Sequence, residues 1–116
     1  MTPFSAPKGL IVAALAATIA CHAVLEAEAP EERRIVVEIR KFKFVPERLV
    51  FSFGDVVVWR NMDIVPHTAT SRNDGWDSGT IASGDEWTTI VTEDMRGQYH
   101  CRFHPSMVAT LDFESE

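Results

Sequence analysis

Cys101, His104 and Met107 stand in a C-x2-H-x2-M pattern within the stretch Gly97-Gln98-Tyr99-His100-Cys101-Arg102-Phe103-His104-Pro105-Ser106-Met107. A thiol, an imidazole and a thioether at this spacing can meet at one point only if the segment is a tight loop. In an extended strand Cys101 and His104 would point to opposite faces, because side chains alternate. In a helix the three would drift around the surface, and Pro105 would break the turn. Adding a second imidazole gives two nitrogens, one thiolate and one weak thioether, the donor set of blue copper centres. His67 is placed to supply that second nitrogen. Cys101 would then make the short bond to copper and carry the electron. His67 and His104 would complete a trigonal plane, and Met107 would sit at the axis and tune the potential.

Taken singly, each residue has an ordinary explanation: a surface histidine, a core methionine, a small buried cysteine. The combination in one small chain is what points to copper. His100, next to Cys101, must face the other way along its strand. It is read as structural or surface, and His22 is set aside because it falls in the leader.

That leader spans residues 1–29. Lys8 precedes an apolar run from Gly9 to Ala20, and Ala27-Glu28-Ala29 gives an A-x-A pattern before Pro30. This reads as a signal peptide, and the apolar run is short for a membrane span. Ala20-Cys21 also loosely resembles a lipoprotein cleavage site, with Cys21 as lipid acceptor, although Thr18 stands where such sites usually carry Leu. Export to the periplasm is expected, with lipid anchoring at Cys21 as the second form. Cleavage after Ala29 leaves residues 30–116 as one domain with Cys101 as its single cysteine. A lone exported thiol cannot form an internal disulfide, and a metal-bound thiolate is an economical role for it.

The chain has 116 residues, 46% hydrophobic and 24% charged, with a formal charge of −6, which disfavours nucleic acid as a partner. Its segments after the leader alternate rather than follow a helical period. Strands are expected at Ile35–Phe44, Leu49–Phe53, Val56–Asn61, His67–Ser71, Glu86–Thr92, around Tyr99, and at Val108–Phe113. Phe42 and Phe44, two apart, are expected on one face. Turn signals at Pro46, Gly54-Asp55, Gly84-Asp85 and Gly97 separate these runs. Seven or eight short strands at such spacing predict an all-β sandwich or barrel.

The same residues resemble the cupredoxins, above all amicyanin and the bacterial plastocyanin-like proteins. The likeness covers residues 35–113. It rests on Phe42-x-Phe44-x-Pro46, Gly54-Asp55-x-Val57-x-Trp59-x-Asn61, Pro66-His67-Thr68, Trp76-Asp77-Ser78-Gly79, Gly84, and Gly97-x-Tyr99-x-Cys101-x-x-His104-Pro105-x-Met107. It implies a Greek-key β-sandwich with one copper ion at the loop end, held by His67, Cys101, His104 and Met107. Arg102 and Phe103 depart from the small polar residue and proline of amicyanin, and Thr68 stands where asparagine is common. Family members pass electrons through the exposed edge of the later histidine, here His104. An apolar collar of Val65, Pro66, Phe103 and Pro105 would let a redox partner dock transiently. By this resemblance the partner is a c-type cytochrome, an amine dehydrogenase or a terminal reductase, and the protein is a monomer. Asp74, Asp77, Asp85 and Glu86 either steer a basic partner or are solvated loop charge.

No substrate pocket, second metal site or nucleophile–base pair is suggested, so an electron carrier rather than an enzyme is expected. A copper carrier or buffer is the alternative. It would favour exchangeable, methionine-rich binding, and only Met62, Met95 and Met107 follow the leader. A metal-free adhesion or scaffold sandwich is the third reading.

Overall fold

The computed structural model describes residues 32–114. The expected leader and Cys21 lie outside them. Eight strands form: β1 (Arg34–Arg40), β2 (Lys43–Val45), β3 (Arg48–Phe51), β4 (Val56–Asn61), β5 (Thr70–Ser71), β6 (Glu86–Ile90), β7 (Gly97–His100) and β8 (Val108–Phe113). The only helical element among the described residues is a 3-10 turn at Glu93–Met95. The strands make two four-stranded sheets, ordered β2-β1-β4-β6 and β3-β8-β7-β5. β1 pairs β4 in parallel, and β3 pairs β8 in parallel. The other neighbours are antiparallel. From β2 onward the chain alternates between the sheets until β7 and β8 close the second one. This is the expected sandwich.

The core sits between the sheets, and the strand period fills it. Val37 and Ile39 of β1, Val57 and Trp59 of β4, and Tyr99 of β7 are fully buried. Ala109 and Leu111 of β8 join them, with Phe113 packed at the margin. Trp59 lies at the centre, 5.2 Å from Trp87 and 5.8 Å from Tyr99 between ring centroids. Its Nε1–H donates to the Tyr99 hydroxyl at 3.2 Å. Burial pushes the Tyr99 hydroxyl well above its ordinary pKa, so it stays neutral.

Three expectations need correction. Ile35–Phe44 is not one strand: Arg40 pairs Lys43, and Lys41-Phe42 is a two-residue turn between β1 and β2. Phe42 therefore does not share a face with Phe44. Phe44 is in the core at 1% exposure, whereas Phe42 is 50% exposed. The turn was hidden because Lys-Phe carries none of the glycine or asparagine that favours positive φ. His67–Ser71 is likewise not a continuous strand. His67 makes an isolated bridge to Ile81, and only Thr70–Ser71 pairs with β7. The loop after it folds back along this segment, through the His67–Ile81 and Thr70–Asp77 bridges. Finally, Leu49–Phe53 stops at Phe51, and Phe53 is 78% exposed in the Gly54 turn.

Candidate metal centre

The loop after β7 shows why the spacing C-x2-H-x2-M works. The His104 N–H donates to the Cys101 carbonyl at 3.2 Å, and the Met107 N–H donates to the His104 carbonyl at 2.9 Å. Each two-residue gap is thus closed as a four-residue turn. The Cys101 N–H then donates to the Met107 carbonyl at 3.2 Å, pinning the end of β7 to the start of β8. The segment from Cys101 to Met107 becomes a closed ring of backbone whose three chemical residues stand where the two turns begin and end. Cys101 and Met107 are buried, and His104 is half-buried.

His67 arrives from the β4–β5 connection and is fully buried. One donor atom from each of His67, Cys101 and His104 lies within 4.8 Å of the others. Cys101 Sγ is 3.6 Å from His67 Nδ1 and 3.5 Å from His104 Nδ1. Bonds of about 2.0 Å from imidazole and about 2.3 Å from thiolate, meeting at roughly 110–120°, place nitrogen and sulfur roughly 3.5–3.7 Å apart. The donors therefore already sit close to the separation that a shared metal ion needs. Their chemistry fits copper: two imidazoles, one thiolate and, beneath the same loop, a buried methionine. His67, Cys101, His104 and Met107 form a type 1 copper site. His100 does not join it. Its partner residues are Thr70 and Val108 on the neighbouring strands, and its Nδ1 is buried without a hydrogen bond.

The surroundings orient these donors. The Thr68 N–H points at Cys101 Sγ from 3.4 Å, a contact that favours the thiolate. The Thr68 hydroxyl accepts the Arg102 N–H at 2.8 Å and lies 2.8 Å from the Thr70 hydroxyl. Thr70 in turn donates to Asp77 at 3.0 Å, and Asp77 pairs with the Arg102 guanidinium at 2.9 Å. Thr68 and Arg102, two of the three departures from the expected pattern, are thus linked to each other through one closed network. Asp77, one of the four acidic loop residues, is occupied within it. Glu86 is paired with Arg60 at 2.7 Å.

The sequence reading missed two residues here. Asp63 accepts a hydrogen bond from His67 Nε2 at 2.8 Å, which leaves Nδ1 as the lone-pair atom facing the thiol. Burial would raise the Asp63 carboxyl, but the Phe42 amide, the His67 ring and the Lys41 amide outweigh it and hold it below the ordinary carboxylate value. Phe42 stands edge-on to both imidazoles, at centroid distances of 5.4 Å from His67 and 4.9 Å from His104. No local motif marks Asp63, and the Phe42-x-Phe44-x-Pro46 pattern gives Phe42 no place at the centre, because the β1–β2 turn meets it only in the folded chain. Of the expected collar, Pro66, Phe103 and Pro105 are exposed and Val65 is half-buried. Met62 at 54% and Ile64 at 90% add exposed apolar surface on the loop leading to His67.

No family model matches the chain, and no curated protein does. Solved structures do match. A proline-to-glycine variant of amicyanin is 26% identical with a TM-score of 0.61, over 70% of this chain and 82% of that one. A purple cupredoxin from Nitrosopumilus maritimus is 24% identical with a TM-score of 0.57, over 72% of this chain and 100% of that one. A copper-containing nitrite reductase from Thermus scotoductus is 20% identical with a TM-score of 0.65, over 79% of this chain. This chain spans only 25% of that reductase. At their identities the last two speak to fold alone, whereas the amicyanin likeness runs alongside a shared ligand pattern. In fold, and in the donor set of its candidate metal centre, the chain is similar to the cupredoxins.

Proposed function

We propose that this protein is a periplasmic electron carrier that cycles one copper ion between Cu(I) and Cu(II). The observation that carries this reading is the preformed triangle of Cys101 Sγ, His67 Nδ1 and His104 Nδ1, with sulfur–nitrogen separations of 3.6 and 3.5 Å. Bound copper supplies the one-electron couple. The chain supplies fixed donors: His67 is held from behind by Asp63, Cys101 by the Thr68 amide, and His104 by its turn hydrogen bonds. A donor set held this way moves little when the charge changes, so the reorganisation cost is small.

Electrons enter and leave at His104, the half-buried ligand, with Phe103, Pro105, Pro66 and Val65 as the docking collar. Such a patch suits a small, short-lived interface. A c-type cytochrome, an amine dehydrogenase or a terminal reductase is the partner class that the amicyanin likeness suggests. The A-x-A leader pattern supports export, and the protein works as a monomer. Its use as a carrier rather than an enzyme rests on the single-centre ligand set.

Copper handling is the weaker reading. Met95 and Met107 are buried, which leaves Met62 as the one exposed methionine among the described residues. That is too few for an exchangeable thioether site. The two readings part under a strong Cu(I) chelator: the carrier keeps its copper through repeated reduction and reoxidation, and a copper donor surrenders it within the first cycle.

A further inference from the structure

The turn between β1 and β2 is locally unfavourable, and its partner explains why it persists. Lys41 has φ 54° and Phe42 has φ 59°. Two-residue hairpin turns of this type favour Asn-Gly, because positive φ costs other residues roughly 1–3 kcal/mol each. Consecutive amides in a turn form a concave site for an anion. The Asp63 carboxylate occupies it, accepting the Lys41 N–H at 2.6 Å and the Phe42 N–H at 3.0 Å. The same oxygen that takes the Phe42 amide also takes His67 Nε2. Asp63 is itself fixed: its backbone N–H donates to the Asn61 side chain at 2.9 Å, and its carbonyl accepts the Ser83 hydroxyl at 2.7 Å. One carboxylate therefore ties a strained turn to a copper ligand, and that turn lays Phe42 against both imidazoles.

We propose that Asp63 is a positioning residue that sets the reduction potential of the copper centre from outside the ligand set. It acts in two ways. A carboxylate on Nε2–H makes the His67 Nδ1 a stronger donor, which favours the more highly charged Cu(II). Its hold on the turn amides keeps Phe42 over the two rings, where the phenyl group excludes water. This inference rests on the electron-carrier reading.

The test compares copper-loaded wild type with Asp63→Asn, and makes the same comparison in a Lys41→Asn/Phe42→Gly background. In that background the turn is favourable without an anion and the phenyl ring is gone, so only the arm to His67 remains. The readouts are reduction potential, Cu(II) affinity and thermal stability. Asp63→Asn is expected to raise the potential in both backgrounds and to weaken Cu(II) binding about 10–100-fold. Each tenfold loss of Cu(II) over Cu(I) affinity reads as a rise of about 59 mV. A drop in thermal stability with unchanged potential and affinity in both backgrounds would make Asp63 a turn staple only, and would overturn the inference. A wild type with no blue colour would overturn the electron-carrier reading and this inference together. A blue wild type with unmoved Asp63→Asn potentials would overturn the inference alone.

Discussion

Met107 has the role that a single atom can test. Its backbone closes the ligand loop and its side chain is buried, so replacing it with a residue of similar length keeps the loop while changing the donor. Met107→Gln offers copper a harder oxygen, which favours Cu(II). The potential should fall by at least one tenfold step in relative affinity, about 59 mV, when measured by redox titration. An unchanged or higher value would mean that Met107 is not the axial ligand. Thr68 is a second residue-scale case. Thr68→Ala leaves the Arg102 amide without its acceptor and breaks the link toward Thr70 and Asp77. The expected cost is about 1 kcal/mol in chemical denaturation, the net worth of a typical intramolecular hydrogen bond. Thr68→Ser keeps the hydroxyl and should recover most of it. At this scale the four ligands were legible in the sequence, because thiol, imidazole and thioether chemistry is specific and their spacing is short. Asp63 and Phe42 were not. Asp63 precedes His67 by four residues in a loop, where no helical or strand period relates the two, and the other partners of its carboxylate, the Lys41 and Phe42 amides, lie more than twenty residues away.

The elements were legible where alternation was clean. β8 buries Ala109 and Leu111 in alternation, and β6 half-buries Trp87 and Thr89 while Thr88 and Ile90 face outward, Ile90 at 60% exposure. The strand expected over Glu86–Thr92 ends at Ile90, although the alternation carries on to buried Val91. They failed where backbone conformation overruled residue type. Lys41-Phe42 continues a β-rich run in sequence, yet turns the chain because Asp63 stabilises its amides from another loop. Propensity is local and this stabilisation is not. β5 shrank to two residues because the segment spends its other backbone groups on the folded-back loop. The His67 amide and carbonyl exchange hydrogen bonds with Ile81, and the Ala69 carbonyl accepts the Ser78 N–H. An element-scale prediction follows for β4. Trp59 is fully buried among Trp76, Trp87 and Tyr99. Trp59→Ala should cost about 3–5 kcal/mol by denaturant unfolding. Trp59→Phe should cost less, since it keeps a ring in the space while leaving the Tyr99 hydroxyl without its donor.

The whole molecule is tied at the end of the sheets by Asp55, which is nearly inaccessible at 4% exposure. It accepts two hydrogen bonds from Arg33, at 3.1 and 2.7 Å, and one from the Ser52 amide at 2.8 Å. Burial alone would raise its carboxyl. The Arg33 hydrogen bond, the Ser52 amide and the Arg33 charge together outweigh that and hold it below the ordinary value. A folded carboxyl more acidic than its unfolded counterpart adds stability that is complete above the unfolded value, near pH 4, and lost as pH falls through the folded one. Melting measured from about pH 5 to about pH 3 should therefore show wild type losing more stability than Asp55→Asn. Equal losses would mean that the pair contributes nothing to the acid limb.

His67, Cys101, His104 and Met107 are placed to hold one copper ion as a type 1 centre. The most direct measurement is a visible spectrum of the protein titrated with Cu(II), beside Cys101→Ser. An intense thiolate-to-copper band is expected, saturating at one equivalent, bleaching with mild reductant and missing from Cys101→Ser. A protein that stays colourless at saturating Cu(II), or an equal spectrum from Cys101→Ser, would contradict it.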